Sequence, residues 1–196
     1  MFIEEIGLKV ITGPMFSEKS GELIHSINMA ETYEGKKVIL FKPNIATRDG
    51  KNIIVSRTGL SRRAEELPEF ITDEVIENVL ENCEQYDVVG IDETQFFKGK
   101  IVELVQRLIF TKRVVVSGLN MDYEGKPFGK MGDIIAMADE VQHMYPVCSK
   151  CKKRRAIFSQ RLSNGKPVTK KGQTIYEGDK ESYEPRCRVC FKPPFD

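Results

Sequence analysis

Long hydrophobic runs are missing from this chain of 196 residues. No segment approaches the ~20 consecutive apolar residues that a membrane-spanning helix needs, and the opening stretch MFIEEIGLKVIT is acidic and broken, which argues against a secretory signal. An excess of charge is missing too. Lys and Arg number 30 against 29 Asp and Glu, so no global field recruits nucleic acid or an anionic membrane. Histidine is scarce: His25 and His143 stand apart, near no nucleophile motif, and neither is given a role. With 9 prolines scattered among 15 glycines there is no low-complexity tract. These absences lead us to expect a soluble, cytoplasmic protein of one domain, or of one domain with a small appendage.

The apolar residues that are present fall into short blocks. Leu8 to Thr12 reads as a buried strand, and Leu23, Ile24, Ile27 and Ala30 recur at helical spacing as far as about Tyr33. Val38 to Phe41 is a second strand, followed by a polar loop holding Arg48, and Ile53 to Val55 a short third. Asp73 is expected to cap a helix carrying Val75, Ile76, Val79 and Leu80. Val88 to Ile91 and Val114 to Val116 read as strands on either side of a helix from Ile101 to Phe110. Strands that are apolar throughout and alternate with helices predict an α/β fold: a P-loop-type parallel sheet covered on both faces.

Two motifs sit where strands end. Gly13-Pro14-Met15-Phe16-Ser17-Glu18-Lys19-Ser20 follows a strand and opens a helix, and it meets the phosphate-loop pattern G-x-x-x-x-G-K-[ST] except at Glu18. Backbone amides of such a loop point at phosphate oxygens, Lys19 reaches the β- and γ-phosphates, and Ser20 supplies a magnesium ligand. Val88-Val89-Gly90-Ile91-Asp92-Glu93 is an apolar strand ending in acids. Alone it reads as an ordinary strand and acidic turn. Paired with a phosphate loop, Asp92 orders magnesium, and Glu93 is placed to take a proton from an incoming hydroxyl.

Five cysteines divide as two C-x-x-C pairs, Cys148/Cys151 and Cys187/Cys190, and a lone Cys83 in a helical pattern. Four thiolates from two knuckles satisfy tetrahedral zinc and leave no position for water, so the expected role is structural. Four reduced buried cysteines are the plainer alternative. Redox catalysis is disfavoured because neither pair opens a helix in a βαβ unit. The texture changes near Pro146, which predicts a phosphate-binding unit over 1–145 and a zinc-stapled subdomain over 146–196. The cluster Lys150, Lys152, Lys153, Arg154 and Arg155 suits a solvated face better than a nucleic-acid contact.

In order, GPMFSxKS, FKPxxxTR (Phe41 to Arg48), IDExQFF (Ile91 to Phe97), KPFG (Lys126 to Gly129), the two knuckles and Tyr183-x-x-x-Cys187-Arg188 span most of the chain. Together they closely resemble the zinc-containing thymidine kinases of the cellular and bacterial type. The resemblance implies transfer of the ATP γ-phosphate to the 5′-hydroxyl of thymidine or deoxyuridine. It implies Glu93 as base, Arg48 as stabiliser of the transferring phosphoryl, Asp92 and Ser20 on magnesium, and Lys19 on phosphate. Met15, Phe96, Leu119, Tyr123 and Phe128 would wall the nucleoside pocket. A lasso loop between the knuckles, with Ser159, Tyr176, Gly178 and Tyr183, would close over the nucleoside. A homotetramer is implied as well.

Three residues depart from that pattern. Glu18 replaces a glycine, and at ~5 Å with an effective dielectric near 20 each like-charge contact with phosphate costs about 3 kcal/mol, roughly a hundredfold in affinity. A left-handed backbone at that position adds about 1–2 kcal/mol for any residue but glycine. Ala46 stands where an aspartate usually precedes the arginine, and Gly21 weakens the first helical turn. These departures frame a rival reading, a relative that binds deoxynucleosides but holds ATP poorly. A zinc-ribbon nucleic-acid binder is the third reading, and it leaves the phosphate loop and Asp92-Glu93 unexplained.

Overall fold

Successive residues of a strand point to opposite faces, so a run such as Val114-Val115-Val116 requires cover on both sides of its sheet. The computed structural model describes residues 6–46, 50–168 and 183–194. In chain order its elements are β1 (Gly7–Thr12), α1 (Lys19–Glu34), β2 (Val38–Pro43), β3 (Ile53–Val55), β4 (Ser61–Arg63), β5 (Glu65–Leu67), β6 (Phe70–Ile71), α2 (Asp73–Cys83) and β7 (Val88–Ile91). A 3-10 turn (Thr94–Phe96), β8 (Lys98–Gly99), α3 (Ile101–Ile109), β9 (Arg113–Gly118), α4 (Met131–Ala136) and β10 (Glu140–His143) follow. The last strands are β11 (Phe158–Ser163), β12 (Lys166–Pro167) and β13 (Tyr183–Arg186).

Six strands form one sheet in the order β10-β1-β9-β7-β2-β5, and every neighbouring pair is parallel. One face carries Leu8, Val10, Ile39, Phe41, Val89, Ile91, Val114 and Val116, packed with residues of α2, α3 and α4 such as Ile76, Leu104, Leu108 and Ile134. The other carries Ile11, Leu40, Val88 and Val115 against Leu23, Ile24, Ile27 and Ala30 of α1. The sheet is thus a two-sided core of the expected kind, and it brings the carboxyl ends of β1 and β7 to one edge with only β9 between them.

One local expectation changes, and one strand is added. The cap of α2 is Thr72, whose hydroxyl accepts from the Val75 amide at 3.3 Å, while Asp73 is the first helical residue. A hydroxyl in extended backbone satisfies the free amide, and Asp73 contributes only its charge near the helix start. The polar segment Glu140–His143 is also a sheet strand, pairing along β1 at the outer edge. Cys83 is fully buried, and burial pushes its thiol up to about 12, as suits an inert core residue.

A separate antiparallel sheet, β12-β11-β13, adjoins the cysteine knuckles. Its base is fixed by Phe158 stacked on Phe191 at 4.1 Å and by buried Gln160, which exchanges hydrogen bonds with the backbone of Lys192 at 2.8 and 3.1 Å.

Candidate active site

The candidate phosphate loop, residues 13–20, begins where β1 ends. A β-carbon on Gly13 (φ +145°) would lie 2.2 Å from the Met144 carbonyl oxygen, so only glycine lets the segment after β10 close against the turn. The Ser17 hydroxyl donates to the Pro14 carbonyl at 2.8 Å, and Lys19 Nζ donates to the same oxygen at 2.9 Å, drawing the loop into a ring. Phe16 and Glu18 both occupy left-handed backbone, at φ 68° and 60°. Glu18 immediately precedes α1, whose first-turn amides lack helical partners and favour an anion. Its carboxylate caps none of those amides. Glu18 Oε2 accepts a hydrogen bond from the Thr58 hydroxyl at 3.2 Å, turned away over Gly21. The like-charge cost expected from the sequence is softened by this turn, and the backbone cost remains.

Across β9, at the end of β7, Asp92 is buried and accepts hydrogen bonds from the hydroxyls of Ser117 and Ser20. Burial, and then the neighbouring Glu93 carboxylate, push the Asp92 acid up to about 6, against the pull of those hydroxyls. An acid whose folded pKa exceeds its unfolded value takes up a proton on folding. Stability therefore falls as pH rises from about 4 to 6 and stays lowered above that. Asp92→Asn is expected to stabilise the metal-free protein at pH 7.5 by up to about 3 kcal/mol and to flatten that decline. Thermal unfolding followed from pH 4 to 8 measures both. A hydroxyl and a carboxylate brought together beside the phosphate loop are hard oxygen donors, the set that magnesium prefers, so Ser20 and Asp92 fit that ion.

Glu93 also holds left-handed backbone, at φ 49°. Among the described residues, three of the six non-glycine residues with positive φ (Phe16, Glu18 and Glu93) therefore belong to this site, where such strain commonly gathers. Gln95, buried and given no role by the sequence reading, fixes Glu93. Its Nε2 donates to Glu93 Oε2 at 2.5 Å, and its Oε1 accepts from the Leu119 amide at 2.9 Å. One side chain thus ties the acid at the end of β7 to the loop after β9.

That loop and the small sheet gather the apolar site residues. Phe96 meets Phe128 edge to face at 5.7 Å. Tyr123 is buried, with the Arg161 guanidinium 5.2 Å from its ring centre, and Arg161 pairs with Tyr183 across β11 and β13. The Met15 amide donates to Ser159 Oγ at 2.9 Å, a direct hydrogen bond from the phosphate loop to β11. Arg48, Tyr176 and Gly178 lie outside the described residues. Flanking Arg48, the buried Lys42 Nζ donates to the carbonyls of Ala46, Gly50 and Ile53 at 3.0, 2.5 and 3.0 Å, so both ends of that loop are pinned.

The sulfurs of Cys148, Cys151, Cys187 and Cys190 all lie within 4.8 Å of one another, with Cys151 and Cys187 at 3.9 Å. A disulfide needs ~2.05 Å. Zinc–sulfur bonds of ~2.3 Å place tetrahedral ligands ~3.8 Å apart, so the cluster fits a zinc ion. Burial opposes ionisation of Cys148, yet the backbone amides of Cys151, Cys187 and Lys150 outweigh it and bring the thiol down to about 6.

A family model described as thymidine kinase matches residues 6–191, nearly the whole chain. The chain belongs to the thymidine kinase family. The match takes in the parallel sheet, both strand-end motifs and the cysteine cluster of this thymidine kinase family member. The basic cluster of the nucleic-acid reading, Lys150 and Lys152 to Arg155, is exposed to solvent, and Arg155 lies 5.5 Å over the Tyr145 ring. No helix among the described residues is long and apolar enough to cross a membrane.

Proposed function

We propose that this chain transfers the γ-phosphate of ATP to the 5′-hydroxyl of thymidine or deoxyuridine, giving the monophosphate for DNA synthesis by salvage. The observation that carries the reading is the meeting of Lys19, Ser20, Asp92 and Glu93 at the carboxyl edge of one parallel sheet. Glu93 accepts the 5′-hydroxyl proton as that oxygen forms its bond to the γ-phosphorus. The bond from that phosphorus to the bridging oxygen breaks, and ADP leaves. Lys19 and the loop amides of residues 13–20 hold the phosphates, and Arg48 stabilises the transferring group. Ser20 and Asp92 would hold magnesium, which when bound neutralises phosphate charge.

Met15, Phe96, Leu119, Tyr123, Phe128, Ser159 and Tyr183 surround the nucleoside, with Tyr176 and Gly178 from the lasso. By the same reading residues 1–145 bind ATP, residues 146–196 form the zinc-bound lasso, and the protein works in the cytoplasm as a homotetramer. The rival reading, a relative with a failed ATP site, is not favoured, because the Glu18 carboxylate is engaged by Thr58.

An acceptor panel tests the proposal. With γ-labelled ATP and magnesium, label is expected on thymidine and deoxyuridine and not on purine deoxynucleosides. Label on none of them, or on purines alone, contradicts it. Gln95→Leu is expected to lower kcat by about 10–100-fold, a loss fitting a misplaced base within the ~10²–10⁴-fold that such a base supplies. A smaller change in KM for thymidine would mark orientation of Glu93, and an unchanged kcat would remove Gln95 from the account.

A further inference from the structure

Residues 56–58 lie about 40 positions from the phosphate loop in sequence and rest directly on it. Thr58 Oγ1 donates to Glu18 Oε2 at 3.2 Å and lies 3.0 Å from Ser56 Oγ. Ser56 is buried, and its oxygen accepts from the Leu60 amide at 3.0 Å, which fixes the turn carrying Thr58. Between them, the Arg57 guanidinium lies 4.2 Å from the Phe16 ring centre. Adjacent residues of one turn therefore engage both non-glycine, left-handed residues of the phosphate loop. Gly21 lies beneath the carboxylate. A β-carbon there would stand 3.1 Å from Glu18 Oε2 and 3.4 Å from the Ser56 β-carbon. Alanine would make a better first helical turn, but its β-carbon would press the carboxylate out of its place by a few tenths of an ångström.

We propose that Thr58 and Gly21 are positioning residues for ATP: Gly21 leaves the room and Thr58 supplies the hydroxyl that together keep the Glu18 carboxylate out of the anion site at the start of α1. The proposal rests on reading residues 13–20 as the ATP phosphate site. Free amides at a helix start attract any anion, and a tethered carboxylate competes with phosphate at high effective concentration. Apparent ATP affinity then scales with the fraction of molecules whose carboxylate is turned out. Loss of one exposed hydrogen bond of ordinary net strength shifts the in–out equilibrium of the carboxylate by about three- to tenfold.

The test is a double-mutant cycle. A non-hydrolysable ATP analogue with magnesium is titrated into the full chain carrying Thr58→Val, Thr58→Ser or Gly21→Ala, each with Glu18 present and with Glu18→Gly. Thr58→Val and Gly21→Ala are expected to weaken binding about three- to tenfold only where Glu18 is present. Thr58→Ser is expected to keep the native affinity, and the melting temperature should not follow the pattern. Equal losses in both backgrounds, or no loss in either, overturn the proposal while leaving the phosphate site intact. No binding by any of these proteins overturns the phosphate-site reading and this proposal with it.

Discussion

Glu93→Gln is expected to lower turnover by about 10²–10⁴-fold while leaving thymidine affinity within about twofold. The substitution preserves shape and keeps an oxygen to accept from Gln95 Nε2, so the link from Gln95 to the Leu119 amide survives. What disappears is the group proposed to take the 5′-hydroxyl proton. Titration calorimetry with thymidine and single-turnover kinetics separate the two effects. Lost binding with unchanged chemistry would make Glu93 a nucleoside-holding group and would leave the base unassigned.

Stripping the metal from the cysteine cluster is expected to have an effect of similar size by another route. Structural zinc contributes about 10–16 kcal/mol of binding that is also folding free energy, and Cys148, Ala156 and Cys187 form only a small core without it. A strong chelator, or Cys187→Ser, should unfold the region around β11 and β13. That removes Ser159 from the Met15 amide and Tyr183 and Arg161 from the neighbourhood of Tyr123. Hydrogen exchange should then show protection lost in β11 and β13 and retained in β1, β7 and β9, with KM for thymidine raised by at least about 100-fold, a small part of that energy. Full thymidine affinity in protein verified to be free of zinc would contradict the structural role.

The sheet was legible because its strands are apolar on both faces. Val88 to Ile91 and Val114 to Val116 have no other place to go, and each ends in polar residues at the crevice. Glu140–His143 escaped notice for the opposite reason. As an edge strand it keeps one side in water, and its alternating polar sequence looks like a loop. The helix start at Thr72 was mistaken by one residue because Thr and Asp are both good caps, and only the hydroxyl bond to Val75 separates them.

In the candidate site, the residues at strand ends were readable and the contacts between them were not. Lys19, Ser20, Asp92 and Glu93 announce themselves by residue type and by position after a strand. Gln95 sits inside the motif that held Glu93, yet nothing in its type distinguishes a bridge to Leu119 from an ordinary buried amide. Thr58 carries no local signal, since its significance depends on a contact with Glu18 formed only by folding. Gly21 looked like a separate weakness in α1. A β-carbon there would press on the Glu18 carboxylate at 3.1 Å, so the two departures are in contact.

By the proposed reading, a phosphate loop bearing an acid still serves as the ATP site of a working thymidine kinase. The most direct measurement follows label from γ-labelled ATP and magnesium into thymidine with the native chain, beside Glu18→Gly. The account predicts thymidine monophosphate and ADP formed in equal amounts by the native protein. Label that stays in ATP, or appears only as inorganic phosphate, while Glu18→Gly transfers it to thymidine would contradict the account.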